Sequence, residues 1–116
     1  MLERAPSAPE QRPVVAVARD HVALQLALTG VHTEQVSDTE AAEEVVSHYL
    51  DQPVEVLIVQ EELRAGFSHA LRDKLERHRR APLVVFCPSF DEGEAEVDAY
   101  LTAVLKPIIG YEMRLE

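Results

Sequence analysis

At 116 residues, with 47% hydrophobic side chains and a formal charge of −10, the chain has the size of one domain with one core. The charge argues against nucleic acid, whose phosphates ask for a basic surface, and against direct attachment to an anionic membrane; a basic partner protein and plain solubility account for it equally well. The single cysteine, Cys87, excludes an intramolecular disulfide and fits a reducing compartment, while no signal peptide and no run of roughly 18 apolar residues is visible, so a soluble, cytoplasmic protein is expected.

Residues 1–12 are polar and rich in Pro and Ala, and predict a disordered leader. Structure is expected from Pro13, where Val14 to Ala18 form a continuous apolar strand of the kind covered on both faces in parallel sheets. Asp20 is a plausible N-cap for a helix from about His21 to Leu28, ended by Gly30. That helix is apolar nearly all round, so either it is deeply buried or a partner covers one side. Val31 to Val36 is a strand of mixed polarity suited to a sheet edge. Ser37 or Asp38 caps the next helix, whose stripe is Ala42, Val45, Val46, Tyr49 and Leu50, and Asp51-Gln52-Pro53 breaks it.

Val54 to Val59 is the third strand. A long third helix is predicted from about Glu61 to Arg79, with Leu63, Phe67, Ala70, Leu71, Leu75 and His78 on one face and charges that complement its dipole. Ala81-Pro82 stops it before a fourth strand, Leu83 to Cys87. A polar loop, Ser89 to Glu94, leads to a last helix from about Ala95 to Leu105, with Val97, Tyr100, Leu101, Val104 and Leu105 on one side. Lys106-Pro107 should end or kink that helix, and the tail to Glu116 is apolar-rich. Alternating strands and helices imply right-handed crossovers. The expected fold is α/β: a four-stranded parallel sheet of order 2-1-3-4 with helices on both faces, similar to a receiver or flavodoxin shortened by one strand. It divides into the leader 1–12, a globular domain 13–88, and a hinge loop with C-terminal helix and tail, 89–116.

The search for chemistry returns little. A nucleotide site of the Rossmann type needs a glycine-rich turn after the first strand, and Ala18-Arg19-Asp20-His21 has none; no P-loop exists either. The five histidines lack the helical spacing of metal ligands. His21 could bind an anion at a strand–helix junction, but a solvated loop residue is the plainer reading. Packing explains His78. Cys87 reads as a small buried hydrophobe more than a nucleophile. Asp20, Glu61 and Glu62 fall at carboxyl ends of strands, where they could hold Mg²⁺, yet acids there also suit helix starts. Tyr100 to Pro107 faintly resembles the Lys-Pro end of a response-regulator receiver, but Gln60-Glu61 stands where the phosphorylatable aspartate should be. No catalytic residue, cofactor or metal is assigned.

In sequence order, several segments resemble the F subunit of V-type and A-type rotary ATPases. They are the first strand Val14 to Ala18 with the helix ending Leu28-Thr29-Gly30-Val31; the acidic Thr39 to Glu44; the turn Leu57 to Leu63; the proline-flanked strand Ala81 to Ser89; and the close Ile109 to Leu115. The likeness spans about Val14 to Leu115; the first loop lacks the family's small-residue, proline-containing turn, and the leader is extra. The resemblance implies a non-catalytic central-stalk subunit that binds the coiled-coil D subunit and works beside the catalytic head, coupling ATP hydrolysis or synthesis to ion transport. It would reach the membrane only through the complex. The last helix, which in that family can extend along the stalk, then supplies the partner-binding residues: Leu101, Val104, Leu105, Ile108, Ile109 and Tyr111. An isolated chain with that surface uncovered could self-associate. The alternative is a degenerate receiver-like regulatory or small-ligand-binding domain; a third reading is an enzyme with a metal-assisted acidic site near Asp20 and Glu61.

Overall fold

The structure, a computed structural model, describes residues 12–90 and 94–109, and the side chains of 13–90 and 95–106. Residues 1–11 of the leader, residues 91–93 of the polar loop and the tail from Gly110 lie outside the described residues, and the first strand opens at Arg12, one residue before the expected start. Four parallel strands, β1 (Arg12–Ala18), β2 (His32–Gln35), β3 (Val54–Gln60) and β4 (Leu83–Cys87), form one sheet in the order β2-β1-β3-β4. The two continuous apolar runs occupy the centre, with Val15 opposite Leu57 and Val17 opposite Val59. The mixed strand β2 takes one edge and β4 the other.

Helices cover both faces. Val14, Ala16, Ala18, Val56, Ile58 and Cys87 point to a layer made by α1 (Asp20–Leu28) and α5 (Glu94–Ile109). Val15, Val17, Leu57 and Val59 point to a layer made by α2 (Thr39–Tyr49), α3 (Glu61–Arg64) and α4 (His69–Arg77). This is why Val14 to Ala18 and Val56 to Val59 are apolar at successive positions: each face of the pleat needs its own cover.

The helix expected over 61–79 is two helices. The chain leaves α3 after Arg64 and restarts at Ser68, whose Oγ accepts the Leu71 N–H at 3.1 Å as the N-cap of α4. Glu43 of α2 holds the restart, accepting both the N–H and the hydroxyl of Ser68. Gly66 fits the break because a Cβ there would sit 2.7 Å from the Thr39 Cγ2. Leu63, Phe67 and Leu71 remain buried on one side throughout, so the apolar period survives the interruption.

Three other boundaries differ from expectation. Asp20 does not cap α1: it is the helix's first residue, in a left-handed conformation (φ 54°), and Arg19 occupies the cap position with no side-chain bond. The strand expected over Val31 to Val36 is shorter, with both valines buried just outside β2. The last helix does not stop at Pro107 but continues to Ile109. A proline in a final turn forfeits a single helix donor, that to the Ala103 carbonyl, which α5 tolerates there. The expected cap at Asp38 is present, its carboxylate accepting the Ala41 N–H at 2.8 Å.

Candidate partner-binding surface

The carboxyl ends of the strands are where α/β folds place their sites. Here they are tied together by side chains. Gln60, at the end of β3, is 3% exposed. Its Oε1 accepts the Arg19 backbone N–H at 2.9 Å, and its Nε2 donates to Glu62 Oε1 at 3.1 Å. Ser89 Oγ donates to the other Glu62 oxygen at 3.1 Å. The amide thus bridges the ends of β1 and β3, and Glu62 passes the connection to the segment after β4. Both halves of the amide are satisfied, as a buried polar group requires. An amide in place of the receiver's aspartate offers no phosphoryl acceptor.

The remaining candidates for chemistry resolve similarly. Asp20 is exposed and lies 3.3 Å from the Arg19 guanidinium. Burial pushes the Cys87 thiol up to about 12, far from a thiolate at neutral pH. The His78 ring bonds the Pro82 carbonyl at 2.9 Å, bracing the turn before β4; the packing expected for it is a hydrogen bond. His21 is exposed. Among the described residues, no group of three or more His, Cys, Asp or Glu gathers as a metal site, and no helix is long and apolar enough to cross a membrane.

The sequence-predicted partner residues divide in three. Leu101 and Leu105 are fully buried, packed with Val97 and Phe90 onto the sheet face that carries Ala16, Ile58 and Cys87. Val104 is half-buried at the margin of the same cluster, beside Tyr100, whose ring meets Phe90 edge-on at 5.4 Å. Burial raises the Tyr100 hydroxyl to about 12. Ile108 and Ile109 belong to α5, but their side chains, like Tyr111 as a whole, lie outside the described residues.

Two surface residues stand out that no candidate set contained. On α1, Val22, Ala23 and Leu26 are buried while Leu24 and Leu28 are 59% and 62% exposed, four residues apart on one helix face. The signal in the sequence was the helix that is apolar all round. Of the two readings left open there, complete burial is wrong: its second face meets solvent.

A search of curated proteins returned no match. The profile of the ATP synthase (F/14-kDa) subunit family matches residues 14–104, which takes in the sheet, the first four helices and most of α5. With a four-stranded parallel sheet of order β2-β1-β3-β4 under this match, the chain belongs to the F/14-kDa subunit family of V/A-type ATPases.

Proposed function

We propose that the chain is a non-catalytic central-stalk subunit that docks on the coiled-coil D subunit, beside the catalytic head, and helps couple ATP hydrolysis or synthesis to ion transport. It is peripheral to the membrane and belongs to the cytoplasmic side of the complex. The observation that carries this reading is the family membership of residues 14–104. The closed strand ends agree with it, since a coupling subunit needs a stiff body and no reacting groups.

In this reading 13–88 is the body and 89–116 a hinge with a helix that exchanges one cover for another. In the packed arrangement α5 buries Val97, Leu101 and Leu105 on the sheet. Each such side chain is worth about 1.5–3 kcal/mol of transfer free energy. The helix therefore leaves the body only when a partner offers apolar surface of similar extent, and Leu101, Val104, Leu105, Ile108, Ile109 and Tyr111 are the side chains it would present. Deletion of residues 106–116 is expected to weaken binding to the purified coiled-coil stalk subunit; an unchanged affinity excludes this exchange of covers.

A further inference from the structure

Positive charge is not spread evenly over this acidic chain. Residues 64–80 hold six of its eleven Arg and Lys side chains against two acids, Asp73 and Glu76. Several of them border one trough, between α4 and the outer edge of the sheet. Leu75 of α4 borders both depressions in it, with Phe86 lining the first and Val84 the second, all three half-buried. Arg64 and Arg72 flank the first depression together with Glu61 and Glu76, and Arg79 and Arg80 flank the second together with Glu55. Beside them β4 is paired, among the described strands, on the β3 flank, and Leu83 at its start is 46% exposed.

The cations of the trough are not equivalent. Arg64 stacks over the Phe86 ring at 4.6 Å and pairs with Glu61 at 3.5 Å, and Arg80 pairs with Asp51 at 3.3 Å. Arg72 and Arg79 instead donate to backbone carbonyls, Arg72 to Ala65 and Arg79 to Glu76 and His78. Those bonds fix the position of each guanidinium and leave its charge without a carboxylate partner among the described residues. One such cation stands at either end of an apolar floor.

We propose that this trough docks a short acidic segment of another subunit of the ATPase, its carboxylates meeting Arg72 and Arg79 and an apolar side chain between them resting on Leu75 and Phe86. Charge complementarity selects the occupant. A long polyanion or an anionic membrane would also meet the remainder of a chain whose net charge is −10, whereas a short acidic segment can seat its carboxylates on Arg72 and Arg79, clear of Glu55 and of Glu61, which Arg64 already pairs. An apolar floor likewise suits side chains better than phosphates. The inference rests on membership of the ATPase complex and is independent of any movement of α5.

The test uses the full-length chain assembled with the purified remaining subunits of its own ATPase. A photo-cross-linking residue in place of Leu83 is expected to label a Glu- or Asp-rich segment of another subunit. The Arg72→Glu/Arg79→Glu pair is expected to weaken assembly about tenfold at low salt, with the difference shrinking at high salt, while Arg72→Lys/Arg79→Lys keeps most of the affinity. Circular dichroism on each variant separates this from misfolding. Labelling of a non-acidic segment or of a second copy of this chain, absence of labelling, or unchanged affinity of the Glu variant overturns the proposal. Loss of binding on deleting 106–116 with no effect of the Glu pair leaves the stalk reading standing and removes the trough; the converse removes the helix exchange alone.

Discussion

The two faces of the sheet are covered in different ways. On one, α2, α3 and α4 arrive in sequence, with Asp38 capping α2, Ser68 capping α4 and Glu43 joining α2 to the turn between α3 and α4. On the other, α1 begins without a side-chain cap and displays Leu24 and Leu28, and α5 is laid down last, from the far side of a polar loop. The first layer adds to its apolar burial two capped helices and a polar bond that joins α2 to the start of α4. The second has apolar burial, which is non-directional and which another apolar surface could supply, and two side-chain bonds to backbone, Gln25 to the Phe90 carbonyl at 3.2 Å and Tyr100 to the Phe86 carbonyl at 3.4 Å. In the stalk role proposed above, a change of contacts would run through the second layer.

The contrast is broken or kept by matched core truncations, which should have the largest effects. Leu63→Ala and Leu101→Ala each remove a fully buried leucine, one per face, and each is expected to cost about 2–5 kcal/mol in urea unfolding. The difference lies in how the loss is expressed. Cys87 lies in the same cluster as Leu101, under the α1–α5 layer, with its thiol raised to about 12. At pH 8, Leu101→Ala should speed thiol labelling through local opening of α5, beyond what its loss of global stability explains. Leu63→Ala should speed labelling only in proportion to global unfolding. Equal proportionality in both would mean that α5 is no looser than α3.

A second substitution tests how tightly the fastened layer is closed. In Gly66→Ala the new methyl would approach Thr39 Cγ2 at 2.7 Å and its Cβ at 3.1 Å, so turning the threonine about χ1 does not clear it. The expected cost is about 1–3 kcal/mol. Thr39→Gly in the same chain should recover part of the clash, though not the helix propensity lost at the start of α2. A double-mutant cycle read by urea midpoints isolates the coupling.

How far the fold could be read from the residues follows the same division. Val54 to Val59 and Leu83 to Cys87 are legible as strands because a two-sided cover asks for near-continuous apolar runs, though Glu55 interrupts the first and the second lies half-buried at the sheet edge, and the 2-1-3-4 order is the one right-handed crossovers allow. The break at 65–68 was not legible from periodicity, since Leu63, Phe67 and Leu71 keep helical spacing across it; the signal was the Gly66…Ser68 pair, a close-approach residue followed by a cap. Asp20 looked like a cap by residue type, but the backbone turn out of β1 places it one position too late. At the strand ends, Gln60 was noted only as a missing aspartate. Its role as the amide bridging Arg19 and Glu62 depends on contacts between β1 and β3 that no local pattern encodes. For the partner residues, an apolar stripe on α5 could be read from spacing, yet the same stripe serves the sheet and a stalk equally well.

Ser68→Ala should have a smaller effect than either pair above, about 1 kcal/mol, from the lost cap of α4. It also removes the hydroxyl bond to Glu43 while leaving the backbone N–H in place.

The smallest expected effect is a pH dependence on the fastened face. The Ser68 hydroxyl, then its N–H, holds the Glu43 carboxyl below its ordinary value of 4.5. A folded pKa below the unfolded one means that the unfolded chain binds the proton more readily. The stabilisation from Glu43 is therefore complete above the unfolded value and declines as pH falls from about 4.5 through the lowered folded value. Glu43 is half-buried at the surface, where solvent still reaches the contact and screens it, so the effect should be a fraction of that of the cap. In urea titrations, the advantage of the parent chain over Glu43→Gln should be constant between pH 6 and 7 and shrink below pH 4.5. Comparing Ser68→Ala with Ser68→Ala/Glu43→Gln should show a weaker dependence, because only the N–H then remains to favour the carboxylate. An advantage that grew on acidification would mean that the contact prefers the protonated carboxyl, and that α2 and α4 are joined by packing and not by this charge-assisted bond.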